Sequence, residues 1–239
     1  MKDALLPLAH ISVGSAPVHS VEVFGTPRWL ITRFSEDHLT ASWAIVGGGI
    51  RRTRSVVWHE VSERELRPPI DAVELLASRL RGLGHSDAVG LLTSRSLESY
   101  VDVAERYCGI EARCIATVGL GNALRAGDPP GPSGRIGTIN LLCRVSVTLG
   151  PESLLEALAL AAEARTLAVC EAGVPSTVSG LPASGTGTDC IVVAAPDGPA
   201  PSRYAGKHTV IGQLVGATVK DAITRGVEAW LRERGGRPT

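Results

Sequence analysis

A glycine-rich segment that leads into an apolar run constrains this chain more than any other feature. Residues 185–189 read Gly-Thr-Gly-Thr-Asp, and the apolar residues 191–195 follow almost directly. Glycines let a backbone approach a ligand closely because they carry no side chain. The segment ends in Asp189, a titratable group of the kind that reactions use. A turn before a buried strand would explain the same residues, so this segment alone does not establish a site.

The chain then turns back and opens its last helix with two more titratable residues. Residues 204–209 read Tyr-Ala-Gly-Lys-His-Thr, and the apolar spacing predicts a helix from about residue 210 to 234. Lys207 and His208 therefore lie at a helix start. Taken singly they suit a surface pair beside a cap. Their concentration with Asp189 around one strand predicts a functional site.

The charge balance excludes several classes of function. The 239 residues contain 24 Lys and Arg and 24 Asp and Glu. This balance argues against non-specific binding to nucleic acid or to a membrane surface. No segment reaches the roughly 20 apolar residues of a membrane span, and the start has no signal-peptide pattern. We expect a cytoplasmic protein with no nucleic-acid or membrane partner, and we leave a homo-oligomer open.

Cysteine and histidine spacing predicts no metal. The five cysteines are widely spread without a Cys-x-x-Cys pair, and the six histidines are scattered without a His-Glu-x-x-His motif. Reduced, mostly buried thiols are the expectation. Residues 185–190 also fail as a dinucleotide loop, because Cys190 stands where the last glycine belongs. A Gly-x-Ser-x-Gly elbow is absent, which argues against a serine hydrolase of that type.

The first 60 residues predict an antiparallel meander. Runs rich in β-branched and aromatic residues occur at residues 18–24, 29–34, 40–46 and 55–60. Turn-forming segments at residues 25–27, 36–38 and 47–49 separate these runs, which is typical of hairpins. The three glycines at residues 47–49 suit either a turn or a surface that a ligand approaches.

Strands and helices share the middle of the chain. Asp71 is a predicted N-cap of a helix that ends at Gly82 or Gly84. Buried strands are predicted at residues 88–93, 113–118 and 138–149. Residues 100–104 predict a strand, and a helix over residues 97–106 is the alternative.

The next helix is predicted from Pro151 to about residue 172, with Gly173 as its cap. Glu163 and Arg165 lie within it, and we interpret both as part of a solvated face. The whole pattern predicts one α+β domain over residues 1–239, with largely antiparallel sheets packed by long helices. Two sheets between helix layers, an α/β/β/α sandwich, would suit this many strands.

Several short motifs occur in an order that resembles one family. They lie at residues 126–129 (Ala-Gly-Asp-Pro), 137–140 (Gly-Thr-Ile-Asn), 163–166 (Glu-Ala-Arg-Thr), 184–189 (Ser-Gly-Thr-Gly-Thr-Asp) and 205–208 (Ala-Gly-Lys-His). The set closely resembles the CbiZ family of adenosylcobinamide amidohydrolases over roughly residues 40 to 220. The turn at residues 47–51 looks like an early glycine motif of that family. One departure is at residues 121–125, Gly-Asn-Ala-Leu-Arg, where many relatives carry Asn-Gly-Gly-Arg, so the accepted corrinoid is left open.

The resemblance implies an enzyme of corrinoid salvage. It would hydrolyse the amide that joins aminopropanol to a propionyl arm of the corrin ring. The products would be adenosylcobyric acid and 1-amino-2-propanol. The cobalt corrinoid would be the substrate, and no separate cofactor is implied.

Residue types within these motifs suit that chemistry. A corrinoid is wide and edged with amides, so glycine loops and small polar side chains can reach it. We predict that substrate contacts come from Gly48, Gly49, Asn122, Asp128, Asn140, Glu163, Gly185, Thr186 and Gly187.

Amide hydrolysis needs an activated water, a stabilised oxyanion and a protonated leaving amine. We predict that catalysis uses His208, Asp189, Lys207 and Thr188. His208 is the candidate base and acid, Asp189 would orient it or activate water, and Lys207 would stabilise the oxyanion. Asp128 and Glu163 are secondary candidates.

Three alternatives stay open. A non-catalytic corrinoid carrier would use the same loops without an activated water, although the Asp-x-His-x-x-Gly motif of cobalt-ligating carriers is absent. An amidase with Thr186 or Thr188 as nucleophile would form a covalent intermediate. A scaffold whose loops bind a partner protein is the third.

Overall fold

The computed structural model describes residues 21–130, 137–199 and 201–235. It contains ten strands and three α-helices within these ranges. The strands are β1 (Val21–Thr26), β2 (Trp29–Ser42), β3 (Gly49–Glu60), β4 (Val89–Thr93), β5 (Val101–Tyr107), β6 (Ile110–Val118), β7 (Ala123–Leu124), β8 (Ile139–Val145), β9 (Gly185–Thr186) and β10 (Cys190–Pro196). The helices are α1 (Ala72–Gly82), α2 (Pro151–Glu171) and α3 (Val210–Glu233). Short 3-10 turns span Glu63–Leu66 and Leu97–Ser99.

The predicted α+β class is confirmed, and most pairs in the main sheet are antiparallel. Its strand order is β4-β3-β2-β10-β8-β6-β5, with β1 paired to β2. Only the β3–β4 and β8–β10 pairs run parallel among the described strands. A second, two-strand sheet joins β7 to β9. The first three strands form the predicted meander.

The main sheet folds back on itself and forms two layers. Neighbouring residues of a strand face opposite sides. Val56 and Trp58 of β3 pack in one cluster with Leu142 of β8 and Val192 of β10. Val57, between them, packs instead against Leu76 and Leu80 of α1. The opposite side of β8 and β10 is covered by α2 and α3. The layers are therefore α1, two β layers and the α2–α3 pair, which is the predicted α/β/β/α arrangement.

Helix ends follow the sequence signals closely. The Asp71 side chain accepts hydrogen bonds from the backbone N–H groups of Val73 at 2.7 Å and Glu74 at 3.0 Å, as expected of an N-cap. Pro151 occupies the start of α2. Gly173 has a φ of 67°, which is typical of the residue that follows a helix.

Three predictions of local structure are corrected. Residues 36–38 do not form a turn between two strands, because β2 continues through them with a register irregularity between Arg33 and His38. The strand predicted over residues 138–149 ends at Val145, where the chain leaves the sheet toward α2. The alternative helix over residues 97–106 is limited to a 3-10 turn, since β5 and β6 form a hairpin there. Residues 18–20, the start of the first predicted strand, lie outside the described residues.

Candidate active site

The candidate site lies where β8 and β10 begin. The two strands run parallel, so Asn140 and Cys190 are paired at the same edge of the sheet. The loop before β10 contains β9, and β9 pairs with β7 from the other glycine-rich loop, with Ala123 opposite Thr186. Two loops that are about 60 residues apart in the sequence therefore form one small sheet above the strand ends.

Asp189 is the most heavily bonded side chain of this region. One carboxylate oxygen, Oδ2, accepts hydrogen bonds from Arg165 Nη1 at 2.5 Å and from the Thr186 backbone N–H at 2.9 Å. The other, Oδ1, accepts from the Thr186 hydroxyl at 2.5 Å and from the Ile139 backbone N–H at 3.0 Å. The Asp189 side chain is only 6% exposed. Asp189 thus ties the glycine loop, β8 and α2 together.

Arg165 corrects the interpretation of a solvated helix face. Its side chain is 13% exposed and pairs with Asp189, while Nη1 also donates to the Ser184 carbonyl at 2.8 Å. A sequence signal did exist. Arg165 lies four residues after Ala161 and three before Ala168, both of which are buried. Residues at these spacings share one helix face, so an arginine on this face needs a buried partner.

Gly185 is required by this ion pair. A Cβ atom at this position would lie 1.8 Å from Arg165 Nη1 and 2.4 Å from Asp189 Oδ2. Any other residue would therefore displace the pair. Gly137 is equally confined, because its Cβ would lie 2.5 Å from the Gly121 nitrogen. These glycines allow the loops to approach one another, and a contact between Gly185 and substrate stays a prediction.

Thr138, Asn140 and Thr188 connect the loops to the sheet. The Thr138 hydroxyl lies 2.8 Å from the Thr188 carbonyl and 3.2 Å from Asn140 Oδ1. Asn140 donates through Nδ2 to the Leu92 carbonyl at 2.6 Å. The Thr188 hydroxyl donates to the Gly137 carbonyl at 2.9 Å. Asn140 is nearly fully buried and holds β4 against β8, whereas Thr188 is exposed at the rim.

Asn122 differs from Asn140 in having no such partner. Its Oδ1 is buried without a hydrogen-bond partner in the described structure. The Asn122 side chain lies between the two loops. A Cβ atom added at Gly137 would be 2.7 Å from its Oδ1, and one added at Gly187 would be 3.8 Å from its Nδ2. Buried polar atoms are nearly always paired in native proteins. Several other described side chains also have such an atom, so this feature alone does not mark a ligand position.

Asp128 anchors the longer glycine-rich loop. Its carboxylate accepts hydrogen bonds from Ser176 at 2.5 Å, Ser179 at 3.0 Å and the Arg125 backbone N–H at 3.2 Å. The Ser176 hydrogen bond is the main reason why the pKa of Asp128 lies below its ordinary value. The loop between β7 and β8 is thereby bound to the segment after α2.

The structure places Lys207, His208 and Glu163 apart from these contacts. Lys207 pairs with Glu163 on α2, and the two side chains are 63% and 59% exposed. Thr209, not His208, is the N-cap of α3, and it accepts the Gly212 backbone N–H at 2.9 Å. His208 is exposed. No hydrogen bond or ion pair joins it to Asp189 among the described residues, so Asp189 does not orient His208 in this structure; it bonds to Arg165 and Thr186 instead.

Gly48 and Gly49 form the turn between β2 and β3. A Cβ at Gly48 would lie 2.4 Å from the Ala44 carbonyl oxygen, and Gly49 has a φ of 87°. The tight turn accounts for both glycines. Their predicted contact with substrate stays a prediction.

Two cavities flank the loop that carries Asp189. The first, of about 280 Å³, lies between the β layers and has mostly apolar walls, with Asn122, Asn140 and Thr188 among its polar lining. The second, of about 340 Å³, is shallower and is lined by Trp43, Arg165 and residues 184–187 and 189. Together they give the site room on both sides of Asp189.

Trp43 is a site residue that sequence reasoning missed. Its indole Nε1 donates to the Asp189 carbonyl at 2.7 Å, and the residue is still 47% exposed. Aromatic residues make up only 4% of the chain, so an exposed tryptophan beside a short glycine turn was an available signal. An aromatic face held at a site rim is suited to a flat ligand.

Cys190 lines the first cavity as a neutral thiol. Burial raises its pKa to about 11, and the Ser42 hydroxyl lies 3.7 Å from its sulfur. A thiol that is protonated near neutral pH is a poor nucleophile.

The described ranges contain neither a metal-holding cluster nor a helix able to cross a bilayer. These residues contain no group of three or more His, Cys, Asp or Glu side chains arranged to hold a metal ion. None of the helices there combines the length and apolar character that a bilayer crossing requires.

The protein is a layered α+β domain whose candidate site is an Asp–Arg pair between two cavities. The chain belongs to the CbiZ family, adenosylcobinamide amidohydrolase, whose model matches residues 15–235. This assignment places it among hydrolases that act on amide bonds, and it confirms the resemblance drawn from the motifs.

One of two sequence relatives carries the name of the family. The chain is 29% identical over 205 residues to an adenosylcobinamide amidohydrolase of Halobacterium salinarum, covering 79% of this chain and 81% of that protein. It is 27% identical over 172 residues to an uncharacterized protein of Methanocaldococcus jannaschii, covering 64% of this chain and 66% of that protein.

Solved structures match over most of the chain but only distantly. The PH0078 protein of Pyrococcus horikoshii aligns with a TM-score of 0.41 and 13% identity, covering 90% of this chain and 83% of that one. A β-aminopeptidase of Burkholderia sp. aligns with the same TM-score and identity, covering 92% of each chain.

Proposed function

We propose that this protein hydrolyses adenosylcobinamide to adenosylcobyric acid and 1-amino-2-propanol. The bond broken is the amide between the corrin propionyl carbonyl and the aminopropanol nitrogen. Water supplies a hydroxyl to the carbonyl carbon and a proton to the leaving amine. The cobalt corrinoid is the substrate, no separate cofactor takes part, and the reaction occurs in the cytoplasm.

The observation that carries this proposal is the convergence of the motif segments. Residues 126–129, 137–140, 163–166 and 184–189 are far apart in the sequence. In the structure the last three are joined through Asp189, and Ala126 donates from its backbone to the Ser184 hydroxyl at 2.7 Å. The name of the Halobacterium relative, an adenosylcobinamide amidohydrolase, supports the choice of substrate.

The bonding of Asp189 supports a positioning role for it. Its two oxygens already accept four hydrogen bonds, one of them from a guanidinium. Donors on both oxygens hold this carboxylate in one orientation. In the proposed mechanism Asp189 fixes the Thr186 hydroxyl and the loop amides, which then contact the scissile amide.

His208 keeps the proposed role of base and acid. An exposed imidazole at the loop before α3 can reach a substrate that extends beyond the cavities, and histidine is the side chain that enzymes use most often as general acid and base. Lys207, beside it, would stabilise the oxyanion. The wide corrin would have to bridge this segment and the Asp189 loop.

A covalent route is the second candidate mechanism. The Thr186 hydroxyl donates to Asp189 at 2.5 Å, which is the contact of a nucleophile with an acceptor for its proton. Attack of the Thr186 hydroxyl on the amide carbonyl would leave a cobyric acid ester on Thr186. Rapid acid quenching followed by peptide mass spectrometry distinguishes this ester from direct attack by water.

Incubation with adenosylcobinamide tests the proposed function. Purified protein without ATP or nicotinamide should release adenosylcobyric acid and 1-amino-2-propanol in equal amounts, as measured by liquid chromatography and mass spectrometry. A chelator should leave the rate unchanged. Tight binding of the corrinoid without either product, across a range of pH and added divalent metals, would instead indicate a carrier.

A further inference from the structure

The outer edge of β5 ends the main sheet without a partner strand in the described structure. β5 is the last strand of the sheet order, and β6 pairs with only one of its two edges. At the other end of the sheet, β4 is almost fully buried, and the Gly90 backbone N–H donates to the Val46 carbonyl at 2.9 Å. In β5, by contrast, residues 104–107 are all exposed. Accessible N–H and C=O groups along such an edge can pair with another strand.

The hairpin turn determines which backbone groups of β5 point to this edge. Tyr107 and Ile110 flank a two-residue turn, and the ladder continues without irregularity to the start of β5. Residues that flank a turn of this length bond to each other, and bonded and non-bonded pairs alternate along an antiparallel ladder. The backbone groups of Asp102, Ala104 and Arg106 are therefore directed away from β6 and toward the free edge.

Most features that keep an edge strand from pairing are missing from β5. The strand has seven residues, which is longer than the ~5–6 typical of strands. It contains no proline and no bulge. Charged side chains are the remaining protection, since an identical edge is repelled where like charges meet. Asp102 and Arg106 are of opposite sign and lie on the same face of the strand, so their effect depends on the register.

A twofold axis perpendicular to the sheet would place β5 of one copy antiparallel to β5 of a second copy. Opposite residues must share a face, so their numbers differ by an even amount and the axis passes through a residue. With the axis at Ala104, Asp102 of each copy lies opposite Arg106 of the other, and all three outward-directed residues form hydrogen-bonded pairs. An axis at Glu105 would oppose two glutamates, and an axis at Val103 would leave Asp102 opposite an alanine.

Each copy already contains half of a longer charge pattern. Arg113 Nη2 donates to Asp102 Oδ2 at 2.6 Å, and Arg106 Nη2 donates to Glu111 Oε2 at 2.7 Å. In the register centred on Ala104, these pairs would join across the axis into a row of alternating sign. Networks of charges stabilise more than isolated exposed pairs do. The charges of β5 therefore favour pairing with an identical edge in this register.

We propose that the free edge of β5 is a homodimer interface, in which two copies pair antiparallel about Ala104 and extend the main sheet across both chains. β5 begins at the edge of the sheet where β8 begins, since both strands are antiparallel to β6. The axis reverses the second copy, so the two candidate active sites lie at opposite edges of the continuous sheet. The interface is therefore independent of the proposed function.

Ala104→Pro tests the backbone pairing. Proline lacks the N–H that Ala104 directs outward, and it is tolerated on an edge strand where that N–H does not bond within the sheet. Light scattering after size exclusion should give the wild-type protein about twice the 24.9 kDa mass of one chain, and the variant the mass of one chain. Circular dichroism of the variant should match that of the wild-type protein, because the bonds to β6 are kept.

Arg106→Asp tests the charge pairing without changing the backbone. The variant places a carboxylate opposite Asp102 of the second copy, and it should also be monomeric. Arg54→Asp is the matched control, because Arg54 on β3 is equally exposed and also pairs with an acidic side chain, Asp37. This control should remain dimeric. A monomeric wild-type protein at its highest soluble concentration, or a dimer that survives Arg106→Asp, would overturn the proposal.

Cross-linking tests the register. Cys108 is exposed, so the experiment starts from Cys108→Ser. Adding Ala104→Cys places one thiol of each copy at the axis, and a short bismaleimide should link the two chains. Ser78→Cys, at an exposed position of α1, should not be linked. Equal linking of both variants would contradict the register.

Turnover separates this interface from the proposed function. The monomeric variants should retain the wild-type turnover of adenosylcobinamide. If the dimer forms and no corrinoid is hydrolysed, the interface stands and the amidohydrolase function fails. If corrinoids are hydrolysed by a protein that is monomeric throughout, the function stands and the interface is wrong.

Discussion

Two buried arginines, Arg144 and Arg165, lie in very different surroundings. Arg144 lies in β8 of the main sheet, and its side chain is only 2% exposed. Its Nε lies 3.2 Å from His38 Nε2, and its Nη1 lies 3.7 Å from Glu111 Oε1. Glu111 belongs to the neighbouring strand β6, and His38 belongs to β2, two strands away on the other side. Arg165 projects from α2 to Asp189 in the glycine loop. It also lines the cavity that contains Trp43.

The comparison shows that a buried charge alone does not identify a site. Both arginines are withdrawn from water, and burial lowers the pKa of Arg144. What distinguishes Arg165 is its partner, which sits on a loop of glycines with open space on both sides. We therefore expect Arg144 to act in stability and the Arg165–Asp189 pair to act in both stability and turnover.

The largest effect should follow from Asp189→Ala. Removing one member of a buried pair leaves the other charge uncompensated and typically costs about 3–5 kcal/mol. The free energy of unfolding, measured with denaturant, should fall by this amount, and turnover of adenosylcobinamide should fall by more than about 10²-fold because the loop loses its anchor.

Glu163→Ala supplies the matched control for the ion pair. Its partnership with Lys207 is exposed at both ends, and such pairs contribute roughly 0–1 kcal/mol. The control should unfold as the wild-type protein does. If Asp189→Ala lowered the free energy of unfolding as little as Glu163→Ala does, the buried pair would contribute no more to stability than the exposed one.

His208→Ala should lower turnover by roughly 10² to 10⁴, the usual effect of losing a general base. Fold and corrinoid affinity should be retained, since His208 is exposed. His208→Gln should keep binding contacts but recover little rate. Turnover and dissociation constants must be measured separately. Near-normal turnover in His208→Ala would remove this residue from catalysis and move the base to the Asp189–Thr186 pair.

Arg144→Met should lower the stability of the protein and leave its turnover nearly unchanged. The variant should lose roughly 1–3 kcal/mol of stability, as core substitutions do. Its partner Glu111 is 24% exposed and can be hydrated, which limits the cost. The kcat/KM of the folded variant should stay within about twofold of the wild-type value. A specific loss of rate without loss of stability would contradict the division of roles between the two arginines.

Local signals predicted much of the fold. Asp71, Pro151 and Gly173 mark helix ends because capping depends only on neighbouring residues. The sequence did not decide the β5–β6 hairpin, because residues 97–106 also suited a helix. Its turn at Cys108 and Gly109 uses positive φ at both positions, a conformation that suits tight hairpins but is uncommon for cysteine.

Features that depend on distant partners were not predictable in the same way. No spacing within β3 shows that the sheet folds back so that Trp58 meets Val192. Arg165 and Trp43 acquire their roles only when Asp189 is placed beside them, about 24 and 146 residues away in the chain. The family motifs include the loops that contact Asp189, but they did not show that Arg165, rather than Glu163, bonds to this aspartate.

The smallest effect should come from Cys190→Ala, which probes the same edge of the sheet without touching the ion pair. The rate should stay within a few-fold, with a packing loss of about 1 kcal/mol.

Burial raises the folded-state pKa of Cys190 to about 11, so in alkaline solution the unfolded thiol releases its proton before the folded one. Stability contributed by the protonated thiol is therefore complete below the unfolded pKa and is lost as the pH rises toward 11. The stability difference between the wild-type protein and Cys190→Ala, followed by denaturant unfolding, should narrow between about pH 9 and pH 11. A folded variant that binds corrinoid but has no turnover would make Cys190 a nucleophile and contradict the assignment of this edge to binding and packing.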